Sequence, residues 1–306
     1  MSEHQTRIAV TGGLGGVGSW LVDRLAGDGY DVLAIDTHTP EQHVENVRFF
    51  SAELTDAGET FDILHAFDPD AVIHLAAIPD PTAHAGTRVF SNNILSAYNV
   101  LFAAGRLGCD IVWASSESAY GFPFSESLLL PEYLPIDESH PMRPEDPYGV
   151  SKVAGESVAE MVTRRFGVQV VSIRPSWVQY PGEYEVSDIR RELAVDEIDA
   201  GTKPPGSGNF WSYIDVRDLV ELCVRAVEAD FDGHEPYLCH AAENYMGVET
   251  ARLIAAVSDG TGPELSGLSG ESCAFTTQKA FDELGWEPEH TWREAETETV
   301  DGPAFI

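Results

Sequence analysis

Positive charge is scarce in this chain. Its 306 residues hold 18 Lys and Arg against 51 Asp and Glu, a formal net charge of −33. So acidic a surface repels nucleic-acid phosphates and anionic membranes, which excludes both as partners. Cysteine is also rare. Cys109, Cys223, Cys239 and Cys273 form no CxxC pair and no zinc-ligand spacing, so neither a metal site nor a disulfide framework is expected, and the four read as small buried hydrophobes. No apolar run reaches membrane-spanning length. The opening MSEHQTRIAVTGG lacks a basic n-region and an apolar h-region, so no secretory signal is expected and the cytoplasm is the expected location.

The acids are spread over the chain and interleaved with core patterns rather than gathered in a tail. With 43% hydrophobic residues a packed core is expected. An acidic shell of this kind stays hydrated in concentrated salt. It points to the cytoplasm of a salt-accumulating halophile, with a fold that weakens when screening is poor.

The first half alternates short apolar runs with helical patterns. RIAVTG, DVLAID, VRFFSA, DAVIHLAA, DIVWASS and VQVVSIRP read as six strands. Helices are expected over Gly16–Leu25, around Phe61–Phe67, over Val89–Leu107 and from Pro147 onward. This is the pattern of an α/β protein: a Rossmann-type, doubly wound parallel sheet. After Pro175 it degrades into a Pro/Gly cluster, KPPGSG, and a short helix near Ile189–Ile198, then returns to helix and strand over 213–240. The expected organisation is a dinucleotide-binding domain over 1–175, rejoined by 213–240. A small α/β C-terminal substrate cap is expected from 176–212 and 241–306.

Thr11-Gly12-Gly13-Leu14-Gly15-Gly16-Val17-Gly18 follows the first strand and opens the first helix. Gly12 permits the tight turn, Gly15 a close approach to a pyrophosphate and Gly18 the packing of helix on strand. The N–H groups from Gly16 and Val17 onward, with the helix dipole, face the phosphates. Asp36 ends the second strand at the distance of an acid that binds a ribose 2′-hydroxyl and repels a 2′-phosphate. NAD is therefore the expected cofactor, with some tolerance of NADP because His38 stands nearby.

Tyr148 and Lys152, four apart, share one helix face. An ammonium beside a phenol favours the phenolate, which could take a proton from a substrate hydroxyl as hydride leaves. Lys152 could also hold a ribose, and Ser116, at the end of the fifth strand, could orient the substrate oxygen. Ser116, Tyr148 and Lys152 are the candidate catalytic residues.

With TGGLGGVG, AIDTHT, AELTD, VIHLAA, WASSESAYG, YGVSK, SIRP, SYIDVRDL and QKAFDELGWEP in place, the chain resembles the extended short-chain dehydrogenases/reductases, the group of nucleotide-sugar epimerases and dehydratases, nearly end to end. The resemblance implies that Glu53 and Leu54 lie near the adenine, Ala76 and Ala77 line the cofactor, Asn93 supports the catalytic group and Val178 lies near the nicotinamide. It also implies a homodimer or homotetramer, paired through the helices at 89–107 and 147–166.

Departures from the family pattern bear on the substrate. Dehydratases carry Asp-Glu after the catalytic Ser/Thr, where this chain has Glu117 and Ser118. Trp177 replaces the Asn, and Trp211 the pyrophosphate-clamping Arg, of nucleotide-sugar enzymes; Lys203 is the one cation between Arg191 and Arg217. Trp177 and Trp211 suit the apolar face of an unsubstituted sugar, with Ser116, Ser118 and Ser176 for its hydroxyls, although both tryptophans could equally pack the cap. The long aromatic, Pro-rich loop from Gly121 to Asp146 suits a lid, or an oligomer contact.

Within the group the chain is most similar to the haloarchaeal L-arabinose 1-dehydrogenases and, more distantly, to uronate dehydrogenases. This implies NAD(P)-dependent oxidation of a free aldose at C1 to the lactone, with a pentose such as L-arabinose as substrate. A UDP-sugar 4-epimerase is the alternative, and a non-catalytic NAD-binding sensor or scaffold a third reading of another class.

Overall fold

The fold is described from a computed structural model, over residues 5–260 and 262–306. The first four residues of the expected nucleotide domain and residue 261 of the expected cap lie outside the described residues. The chain runs β1 (Arg7–Thr11), α1 (Gly16–Gly27), β2 (Asp31–Asp36), β3 (Val47–Ser51), α2 (Ala57–Phe67), β4 (Ala71–His74), α3 (Gly86–Leu107), β5 (Asp110–Ala114), α4 (Pro147–Phe166) and β6 (Val170–Pro175). Then come β7 (Val178–Gln179), α5 (Val186–Glu192), β8 (Ile214–Asp215), α6 (Val216–Glu228), β9 (His234–Cys239), α7 (Thr250–Val257), α8 (Gln278–Leu284) and α9 (Trp292–Ala295).

Seven strands form one parallel sheet in the order β3-β2-β1-β4-β5-β6-β9. The strands read as continuous apolar runs because helices cover both faces of the sheet. On one face Leu21, Val22 and Leu25 of α1 and Leu219, Leu222 and Cys223 of α6 pack on β1, β5 and β6. On the other, α2, α3 and α4 bury Leu64, Val100, Leu101, Ala159 and Val162. The four cysteines are free and buried. The strand order reverses between β1 and β4, which opens a crevice at their carboxyl ends, the position where such sheets bind ligands.

The region after β6, together with the loop between β5 and α4, forms two further apolar clusters. One is built on Tyr184, Trp211, Tyr213 and Tyr245, the other on Phe122, Ile136, Phe210 and Phe275. Ala280, Trp286 and Phe305 leave them and pack into the core on the α1/α6 side, which ties the C-terminal stretch back to the sheet. The helix expected at Ile189–Ile198 stands earlier, at Val186–Glu192, and the chain turns extended at Leu193 before a 3-10 turn at Val195–Glu197. Ile189, Leu193, Val195 and Ile198 all pack on one cluster, and bending the chain around it reaches that surface where a straight helix would not.

Candidate active site

The glycine loop is shaped by close backbone packing. Gly12 has φ +72°, and a Cβ there would lie 2.8 Å from the Ala76 nitrogen. A Cβ on Gly18 would lie 1.9 Å from the Gly12 oxygen, so α1 can approach the loop only without a side chain at that point. Gly15, by contrast, faces space: its added Cβ would meet nothing but the Gly12 oxygen, at 3.2 Å. No side chain caps α1 at Gly15, so the first-turn N–H groups remain available as anion donors. A cradle of this kind fits a dinucleotide pyrophosphate. The Asp36 carboxylate accepts hydrogen bonds from the Leu14 N–H (3.0 Å) and the Thr37 N–H (2.7 Å), so it also orders the loop. Each carboxylate oxygen has two lone pairs, which leaves capacity for a ribose diol.

A cavity of about 1020 Å³ runs from this cradle to Trp177, Lys203 and Asn209 in the segments that follow β6. Of the residues expected from sequence it gathers Gly12, Gly15, Gly16, Val17, Gly18 and Ala77 at the cofactor end, then Ser116, Ser118, Tyr148 and Lys152, then Ser176, Trp177 and Val178. Asp36, Glu53, Leu54, Ala76 and Asn93 do not line it. Leu54 is buried and its carbonyl accepts from Asn99 Nδ2, while Glu53 is exposed and bonds Thr55. Asn93 stands behind the wall. Its Oδ1 accepts from the Ile78 N–H (2.8 Å) and its Nδ2 donates to the Ile78 carbonyl (3.0 Å), fixing the loop after β4.

One expectation is corrected. Trp211 is fully buried, its indole N–H donates to the Pro205 carbonyl (3.0 Å), and it packs with Tyr213 and Tyr245. It belongs to the apolar cluster of Tyr184, Tyr213 and Tyr245 and does not line the cavity. Trp177, in contrast, is 37% exposed at the cavity wall.

The catalytic candidates are placed by ordinary capping. Asp146 accepts from the Gly149 N–H (2.8 Å) and Pro147 occupies the first turn, which starts α4 one residue before Tyr148. Ser116 accepts from the Ser118 N–H (3.1 Å) and starts the 3-10 turn Glu117–Tyr120. Lys152 Nζ donates to the Ala114 carbonyl (2.6 Å) and lies 5.2 Å from the centroid of the Tyr148 ring. Burial pushes the Tyr148 phenol up to about 12, against a hydrogen bond with Ser116 that lowers it. Burial also pulls the Lys152 ammonium down to about 7, with Glu156 acting against it. Glu156 is held by Arg174 (Oε1 at 2.8 Å, Oε2 at 2.6 Å), which fastens α4 to β6 behind the site.

Several wall residues carried no role in the sequence reading. Phe124, on the Gly121–Asp146 loop, is exposed and packs edge-on to the Tyr148 ring at 6.1 Å. The Tyr180 hydroxyl fills the space a side chain on Gly16 would need. Asn209 comes from a 3-10 turn at Ser207–Asn209. All three sit in loops, and only the fold brings them to the site.

Residues 8–239 match the NAD dependent epimerase/dehydratase family. The chain belongs to that family, and thus to enzymes that use NAD on the CH–OH groups of sugars. It is 36% identical over 207 residues to the L-arabinose 1-dehydrogenase (NAD(P)(+)) of Haloferax volcanii, covering 65% of this chain and 78% of that one. It is 34% identical over 176 residues to a provisionally named UDP-glucose 4-epimerase of Methanocaldococcus jannaschii, and the match spans 55% of each protein. Among solved structures, a UDP-glucose 4-epimerase of Thermotoga maritima with UDP-glucose superposes with a TM-score of 0.69 at 22% identity, covering 95% of this chain and 96% of that one, a likeness of fold.

Proposed function

We propose that this enzyme oxidises the C1 hydroxyl of a free aldose to the lactone with NAD, tolerating NADP, and that its sugar is a pentose such as L-arabinose. The observation that carries the reading is how the cavity's cations are used. Among the described residues no Arg lines the cavity, and its lysines are Lys152 and Lys203. Lys152 serves Tyr148 and the Ala114 carbonyl. The Lys203 ammonium donates to the carbonyls of Phe122 (3.2 Å), Pro123 (3.0 Å) and Ser125 (2.6 Å) and to Ser125 Oγ (2.9 Å). Its donors are spent on the loop, so a UDP pyrophosphate in the sugar half would find no cation to offset its desolvation. An unsubstituted sugar needs none. Trp177 offers its ring a flat apolar face, and Ser116, Ser118 and Ser176 offer its hydroxyls partners.

In this reading the Tyr148 phenolate takes the C1 hydroxyl proton and becomes a neutral phenol, Ser116 orients that hydroxyl, and Lys152 stabilises the phenolate before the transfer and holds the nicotinamide ribose. Bound NAD supplies the hydride acceptor. Asp36 takes the adenosine ribose, beside Glu53 and Leu54, while Ala76, Ala77 and Val178 flank the nicotinamide half and Asn93 acts through Ile78. Residues 1–175 with 213–240 bind the nucleotide, and 176–212 with 241–306 close over the sugar. The pentose rests on the likeness to the Haloferax enzyme. Exposed Phe90, Leu95 and Tyr98 on α3 and Val150 on α4 suit pairing of two copies through these helices.

The test is net NADH formation from L-arabinose and added NAD in concentrated KCl. Turnover of UDP-galactose with no net NADH would assign the chain to the epimerases instead.

A further inference from the structure

The substrate half of the cavity contains a carboxyl group with no Lys or Arg paired to it among the described residues. Glu117 lines the cavity beside Ser116 and Tyr148, yet is only 5% exposed. Its neighbours are neutral donors: Asn209 Nδ2 to Oε1 at 3.4 Å, Ser212 Oγ to Oε2 at 3.3 Å, the Ser176 hydroxyl and the Trp177 N–H. The bonds from Asn209 and Ser212 are at the long limit for hydrogen bonds. The imidazole of His240 stands near it, with Nδ1 3.9 Å from Oε2. His240 is fully buried, stacks on Phe275 at 4.1 Å, and burial pulls it down to about 3, so it provides no positive charge at neutral pH. Asn209 Oδ1, also buried in this wall, has no hydrogen-bond partner among the described residues.

A buried carboxyl without a counter-ion is costly, and groups so placed in clefts are commonly functional. Burial raises Glu117 to about 8, so at neutral pH it is mostly a carboxylic acid, able both to donate and to accept. That is the hydrogen-bonding character of a hydroxyl's partner. An uncharged acid beside an unpartnered amide oxygen attracts no anion and needs no cation.

Building on the aldose reading above, we propose that Glu117, assisted by Asn209, is a specificity-determining residue that hydrogen-bonds the sugar hydroxyl next to the one being oxidised, the C2 hydroxyl, and so selects neutral polyhydroxy substrates. Glu117 adjoins Ser116 in the chain and stands close enough to Tyr148 to influence its titration. The C2 hydroxyl is one carbon away from the C1 oxygen that Ser116 and Tyr148 would meet, and Glu117 lines the same cavity as both.

The test compares L-arabinose with 2-deoxy-L-ribose, which is L-arabinose lacking its C2 hydroxyl. Both are assayed by NADH formation with wild type, Glu117→Met and Glu117→Gln. Melting temperature and NAD affinity by fluorescence are read alongside. The wild type is expected to prefer L-arabinose by roughly 10- to 100-fold in kcat/KM, since a site built around a hydroxyl rejects the analogue without it. In Glu117→Met the preference falls to within about threefold of unity, through loss on L-arabinose alone, while NAD affinity stays at the wild-type value. Glu117→Gln loses at least about fivefold of the preference and decides the matter if the Met variant does not fold. Equal losses on both sugars, or an unchanged preference, overturn the assignment. A wild type that oxidises neither sugar overturns it too, but by failure of the aldose reading itself. The other failures leave the wild type active.

Discussion

Lys152 Nζ lies 5.2 Å from the centroid of the Tyr148 ring and 2.6 Å from the Ala114 carbonyl, one helical turn along the same face of α4. The pair is buried enough that each group is pushed toward its neutral form, Tyr148 to about 12 and Lys152 to about 7. Proton removal by the phenol therefore draws on a small phenolate fraction that grows tenfold with each pH unit. At constant KCl, kcat/KM for sugar oxidation should rise between pH 7 and pH 10, by less than tenfold per unit because Lys152, at about 7, and Glu117, at about 8, lose protons over the same range. A flat profile across that range would remove Tyr148 from the role of base.

Asp36 faces both the glycine loop and the expected ribose. Asp36→Ala should shift the ratio of kcat/KM for NAD over NADP toward NADP by roughly tenfold or more, because a carboxylate no longer opposes a 2′-phosphate. NAD affinity should drop as well, since the Leu14 N–H loses its acceptor. Steady-state kinetics with both cofactors checks this; an unchanged ratio would take Asp36 off the ribose.

Two buried histidines make the fold sensitive to acid. His74, bonded to Thr11 Oγ1 at 2.6 Å, and His240 are both pulled from 6.5 to about 3 by burial. Below pH 6.5 the unfolded chain takes up protons on both that the folded chain refuses, so stability falls with pH. At pH 5 each costs roughly 2 kcal/mol. Glu117, raised from 4.5 to about 8, works in the opposite direction between those values, because the folded chain keeps a proton the unfolded chain has lost. Against two histidines it offsets only part. His240→Leu should narrow the loss between pH 7 and pH 5 by roughly 2 kcal/mol in urea titrations. An identical loss in wild type and variant would contradict this.

The net charge of −33 predicts a fold held against its own repulsion. Raising KCl from about 0.1 M, where the screening length is about 10 Å, to about 1 M, where it is about 3 Å, should raise the melting temperature by several degrees. A melting temperature independent of salt would show that the acids are not organised as a halophilic shell.

The sheet was legible because its signals are local. β-branched runs mark β1, β2 and β6, the glycine spacing marks the first turn, and Asp146-Pro147 marks the start of α4. These fixed elements carry Ser116, Tyr148 and Lys152 to one cavity. The half of the cavity away from the glycine loop was less legible because its residues come from irregular segments whose side chains point where tertiary packing sends them. Trp177 and Trp211 are alike in sequence terms, yet one reaches the cavity and the other is buried with Tyr213 and Tyr245. Phe124 and Asn209 carry no spacing signal, and Glu117 showed as a departure from a family pair before its burial and partners were visible.

The most direct trial of the account is Tyr148→Phe, with turnover on L-arabinose and NAD affinity measured on the same preparation. The account predicts a loss in kcat of roughly 10²- to 10⁴-fold with NAD affinity within a few-fold of wild type. A phenylalanine variant that binds NAD and oxidises the sugar at the wild-type rate would contradict it.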